Sequence, residues 1–126
     1  MSTAAVGATT TQEVANRFHE LAQQGNWMQI QEELYSDDAE SIEPAHSMAL
    51  QSAKGKDALK QKGEMFNSMV EEMHGGYSSE PIVAGNHFAV AMGMEATMKG
   101  QGRSKMDEIA LYEVRDGKIV KEQFFF

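Results

Sequence analysis

No cysteine occurs among the 126 residues. Disulfides, thiolate metal sites and cysteine nucleophiles are therefore excluded, and a reducing compartment fits the composition. No apolar run approaches the about 18 residues that a membrane span needs. The start, MSTAAVGATTT, lacks the basic and apolar regions of a signal peptide, so a cytoplasmic protein is expected. Basic clusters are missing too: 11 basic residues stand against 19 acidic ones, a net charge of −8, and such a surface repels phosphate backbones. The four histidines show no HExxH or i, i+4 pair, and neither a metal nor a cofactor is expected. Gln101-Gly102-Arg103 lacks the frame of a phosphate loop, and there is no nucleophile elbow.

What is present describes one globular domain, with 41% hydrophobic and 24% charged residues. Ten methionines against 8% aromatics supply flexible, polarizable side chains that suit irregular apolar cavities as well as cores. Residues 1–9 are small, polar and aperiodic and read as a disordered tail; residues 10–126 read as the domain.

Thr10 and Glu13 have the spacing of a capping box. Val14, Phe18, Leu21 and Ala22 then form one helical stripe that Gly25 ends. Asn26 is placed to cap a second helix carrying Trp27, Ile30 and Leu34 on one face, with Ser36-Asp37-Asp38 as its stop. Ala39 to Pro44 reads as a short strand and 45–54 as loop. The longest helix is expected from Gly55 to about Met73, with Leu59, Phe66, Met69, Val70 and Met73 on its apolar side. Gly63 inside it costs about 1 kcal/mol relative to Ala unless a neighbour packs there.

After Gly75-Gly76 the period changes to two. Strands are expected over 77–84, 88–98, 106–114 and 119–126, with tight turns at Gly85-Asn86 and Asp116-Gly117. Such an order predicts an α+β fold in which a curved antiparallel or mixed sheet wraps three amphipathic helices. The hollow between sheet and helices is the natural place for a small ligand.

GNWMQIQEELYSDDAESIEP, residues 25–44, resembles the helix, acidic stop and first strand of SnoaL-like and ketosteroid-isomerase-like proteins. VRDGKIVKEQFFF, residues 114–126, is similar to the last hairpin of the same superfamily, the NTF2-like or cystatin-like cone fold. The resemblance spans about Gln12 to Phe126 and implies a cone with an internal pocket. The superfamily holds isomerases, cyclases, hydrolases and non-catalytic binding domains, so fold alone names no reaction.

Carried over by position, the isomerase base falls on Glu43, before Pro44. The isomerase's two oxyanion donors fall on Phe18 and Ala110, which have no proton to donate, so steroid isomerisation is not expected. Glu43 is the candidate catalytic base, and His46 a weaker candidate that would pair with it or with substrate. If Ala110 points inward, alternation brings Met106, Glu108 and Tyr112 to the same face, and the resemblance turns Glu122, Phe124 and Phe126 inward as well. A register slip of one residue would send them all to solvent. Phe18, Trp27, Tyr35, Phe66, Met92 and Met94 are expected as pocket walls.

The opposite sheet face carries Ala89, Ala91, Gly93, Thr97, Ile109 and Leu111, which suits a homodimer. Three functions compete: a pocket protein for a small apolar organic ligand, an enzyme with Glu43 as base in isomerase-, cyclase- or hydrolase-like chemistry, and a protein-interaction domain that uses the sheet.

Overall fold

A computed structural model describes residues 10–47 and 50–126; the expected tail at 1–9 lies outside them. The first helix, α1, spans Thr11–Gln23. Its capping box is made: the Glu13 N–H donates to Thr10 Oγ1 at 3.1 Å and the Thr10 N–H to Glu13 Oε1 at 2.9 Å. Val14, Ala15, Phe18, Leu21 and Ala22 form its buried stripe. Gly25 follows at φ +73°, a left-handed position that a side chain would strain. Helix α2 covers Trp27–Leu34 and buries Ile30 and Leu34. Asn26 does not cap it with its side chain; that amide bonds Gln24 instead.

The expected acidic stop is strand. β1 runs Tyr35–Ile42, directly from the end of α2, because Tyr35 finds a place beside Ile119 on the sheet. A two-residue strand, β2 (Ala53–Lys54), pairs with β1 inside what the sequence presents as loop. Helix α3 covers Lys56–Met69 and ends earlier than its periodicity predicts. From Val70 the chain is already strand: β3 (Val70–Ser78) pairs with β5, so Met73 is an exposed edge-strand residue and not part of a helix stripe. Gly63 meets nothing within 4 Å, so no close neighbour compensates its helix cost.

The segment read as one strand over 77–84 divides between β3 and β4 (Ile82–Ala84). β5 (His87–Met98), β6 (Gly102–Arg115) and β7 (Lys118–Phe125) complete the sheet. Asp116 and Gly117 both have positive φ, the conformation of a type I′ hairpin turn.

The seven strands form one mixed sheet in the order β2-β1-β7-β6-β5-β3, with β4 also on β5. β1 and β7 are parallel; the other pairs are antiparallel. Register irregularities interrupt β1/β7, β3/β5 and β6/β7, and such bulges bend a sheet. The helices cover one face, where Phe18 meets Phe88 at 5.4 Å and Tyr112 at 4.7 Å between ring centroids. That face holds the core.

Candidate functional site

Two rows of side chains cross the inner face. The register aligns Ser41 (β1), Glu122 (β7), Tyr112 (β6) and Phe88 (β5). One pleat further, Phe124 pairs with Ala110 and Ala110 with Val90; beyond them Glu108 pairs with Met92. Ala110 is fully buried, so the inward direction of Glu108, Tyr112 and Glu122 follows from alternation.

Helix α3 adds a residue that strand reasoning misses. Leu59, Lys62 and Phe66 stand at i, i+3, i+7, and Leu59 is buried, so Lys62 lies on the stripe that faces the sheet. Its Nζ approaches Glu43 Oε2 at 2.5 Å and donates to Ser41 Oγ at 2.7 Å. It also lies 5.4 Å from the centre of the Phe124 ring. The side chains of this ion pair are only 6% (Glu43) and 11% (Lys62) exposed. The expected candidate Glu43 is thus inside, but with a partner the sequence reading did not assign. Its backbone is fixed too, since the Glu43 N–H donates to Ser52 Oγ at 2.9 Å. His46 does not pair with Glu43: its ring packs edge-on against Phe126 at 5.3 Å, and it is exposed.

Glu122 is buried and accepts a hydrogen bond from the Tyr35 hydroxyl; Ser41 is its register partner on β1. Burial lifts the Glu122 carboxyl above the ordinary range, with the hydroxyls of Ser41 and Tyr35 opposing it. Burial likewise drives the Tyr35 and Tyr112 hydroxyls up, reinforced by the nearby Glu122 charge, so both stay protonated. Tyr35, expected as a wall, is therefore a buried donor. Glu108 is half-buried and its carboxyl is pushed up to about 7 by burial and by the charges of Glu43 and Glu122, against the pull of Lys62.

The remaining expected wall residues divide. Phe18 is core, 1% exposed, and Trp27 leans edge-on against it at 6.0 Å while staying 44% exposed to solvent on α2. Met92 and Phe124 pack partly buried against the core. Phe66 and Met94 are half-buried. A separate depression of about 280 Å³ lies at the β6–β7 turn, lined by Glu13, Arg17, Glu33 and Lys118 among others. The Arg17–Glu33 ion pair at 2.6 Å spans it, and no expected site residue touches it. Among the described residues no three His, Asp or Glu side chains group as metal ligands, and no helix is long and apolar enough to cross a membrane.

The model of the SnoaL-like domain family matches residues 9–126. The chain belongs to that family. Its solved relatives include a Mesorhizobium loti protein named as a SnoaL-like polyketide cyclase, 36% identical, with a TM-score of 0.87 over 94% of this chain and all of the other. A Burkholderia pseudomallei NTF2-like protein of unknown function shares the fold at 13% identity, TM-score 0.73, over 94% of this chain and 91% of that one. A Xanthomonas campestris protein of cystatin-like fold does so at 19% identity and 0.70, over 93% and 90%. No curated protein matches. The family resemblance of the two quoted segments and the α+β cone they imply thus hold for the whole domain.

Proposed function

We propose that this SnoaL-like domain is a small-molecule pocket protein that receives a small, largely apolar organic molecule on the inner face of its sheet. The carrying observation is the nearly covered Glu43–Lys62 pair set among Phe124, Ser41 and buried Glu122. Withdrawing two charges from water costs several kcal/mol per ion before their attraction returns it. Replacing such a pair by apolar residues is often neutral or stabilising, so its presence is better explained by recognition than by stability. Half-buried Phe124 beside the pair and half-buried Met92 opposite Glu108 offer apolar contact, and the pair and its acids offer a polar end.

The test is a methionine-methyl NMR titration with 2-naphthol as probe. Met92 is expected to shift while the exposed Met65 and Met73 stay still. Shifts confined to the exposed methionines, or none, overturn the reading, and a protein-interaction domain then stands in its place.

The second reading is an enzyme with Glu43 as general base, in isomerase-, cyclase- or hydrolase-like chemistry. The polyketide cyclase name of the Mesorhizobium loti relative favours it, as does a carboxylate fixed at a strand end inside the cluster. Glu43→Gln then abolishes turnover and keeps binding. For the outer face we propose a homodimer: Tyr77, Ile82, Ile109 and Phe125 are 52%, 76%, 47% and 47% exposed, and Ile109 sits between Ala91 and Phe125 in register. Ile109→Lys is expected to yield monomers in sedimentation analysis.

A further inference from the structure

We infer that Glu108 is the side chain through which this site exchanges a proton with the molecule it binds, while Glu43 and Lys62 act around it as a fixed ion pair. The inference rests on the small-molecule reading and deepens it.

Three carboxyl groups face inward, and two are committed. Glu43 is held by Lys62, whose other contacts are Ser41 and the Phe124 ring. Glu122 holds the buried Tyr35 hydroxyl. To serve a ligand, either would have to release a covered donor and leave it unsatisfied, which costs about 1–3 kcal/mol or more. Glu108 has no hydrogen-bond or ion-pair partner among the described residues, and it is half-buried. It is desolvated by its surroundings and still within reach of an incoming molecule.

Its electrostatic neighbours act together. Glu43 just past β1 and Glu122 from β7 oppose its ionisation, Lys62 from α3 favours it, and Tyr112 on its own strand is protonated and buried. Its partner on β5, Met92, is neutral. Burial leads this balance, which puts the carboxyl at about 7, where both protonation states are populated near neutrality, as general acid–base work requires. The step balances within the complex. Ionised Glu108 takes the proton of an O–H or acidic C–H bond, the bonding pair stays on the bound molecule, and the carboxylic acid returns the proton to another of its atoms. Nothing is oxidised or reduced.

Two measurements on the full chain test this. Residue-assigned carboxyl 13C NMR is run against pH, and 2-naphthol binding is measured by calorimetry in buffers of different ionisation enthalpy, slightly above neutral pH. The expected midpoint of Glu108 is about 7. Because the probe covers the carboxyl further and its own O–H is too weak an acid to give up its proton near neutrality, binding should take up a fraction of a proton from the buffer in the wild type. That uptake should vanish in Glu108→Gln and persist in Thr10→Ala, whose hydroxyl caps α1 away from the cluster. A Glu108 midpoint in the ordinary range of about 4.3, or uptake that survives Glu108→Gln, overturns the inference. Failure of 2-naphthol to bind overturns the small-molecule reading and this inference with it; binding without proton uptake overturns this inference alone. Should Glu108→Gln not fold, the wild-type titration decides.

Discussion

On the β5–β6 end of the sheet's inner face Phe18, Phe88 and Tyr112 meet ring against ring. Across the sheet, Glu122 on β7, Ser41 on β1 and Glu43 just past it stand around Lys62, with Glu108 four residues from Tyr112 along β6. Both ends use the same alternation and the same register, but α1 covers the first and α3 the second. They differ in what a lost side chain leaves behind. At the aromatic end it leaves a void. At the charged end it leaves an unpaired group that must find water or change its protonation state. The first end is therefore sensitive to volume, the second to partner and to pH.

The largest expected effect lies at the aromatic end. Phe88 is 1% exposed and stacks on Tyr112 at 4.8 Å. Phe88→Ala is expected to cost about 4 kcal/mol in urea unfolding, from lost transfer energy and the cavity it leaves. At the charged end, Lys62→Met removes the partner of a covered carboxylate and is expected to cost about 3 kcal/mol. Lys62→Met with Glu43→Leu removes both charges and should return to within about 1 kcal/mol of wild type. A double variant as weak as the single one would show that volume governs both ends, and the contrast would fail.

The same contrast explains which features were legible in the sequence. Alternation from Phe88 to Met98, the turn at Asp116-Gly117 and the capping box at Thr10 are local signals, and each is present in the fold. Counting by twos from Ala110 brings Glu108 and Tyr112 to one face, and Ala110 and Tyr112 are both buried, because a half-buried strand fixes its own register. The boundaries that needed a distant partner were not legible. Ser36-Asp37-Asp38 has poor strand propensity and is carried as strand between Tyr35 and Glu40, which pair with Ile119 and Lys121 of β7. Val70 continues a helical pattern and is strand because Met98 lies opposite. β2 is too short to carry a period. Lys62 is not legible as a site residue because a lysine on a helix is ordinarily solvated; only its spacing from Leu59 and Phe66 marks it as inward. His46, near Glu43 along the chain and expected to pair with it or with substrate, packs on Phe126.

Glu108 sharpens the contrast through pH. Its carboxyl is held up at about 7 in the folded chain, against about 4.3 when unfolded. Between those values the folded chain binds more protons than the unfolded one, so stability falls as pH rises through the window. Below it the group contributes no loss; above it the loss is complete. Glu108→Gln removes this contribution. Relative to wild type, the variant is expected to gain about 2 kcal/mol between about pH 4 and about pH 8, a figure reduced from the full shift because the half-buried group still meets solvent. Glu122, also raised by burial, acts with the same sign and keeps part of the slope in the variant. Paired urea unfolding curves across that range measure the difference, and parallel curves would break the assignment of pH sensitivity to this end.

The smallest effect is a control on the same idea. Thr10 caps α1, which supplies Phe18 to the aromatic end and nothing to the charged cluster. Thr10→Ala removes the hydroxyl that accepts the Glu13 N–H and is expected to cost about 1 kcal/mol. The hydroxyl does not titrate, so the loss should be equal at about pH 6 and about pH 8. Binding of 2-naphthol should also be unchanged, since no cluster residue loses a contact. If this remote cap altered the pH slope, the two ends would be coupled through α1, and the inner face would have to be treated as one cooperative unit instead of two.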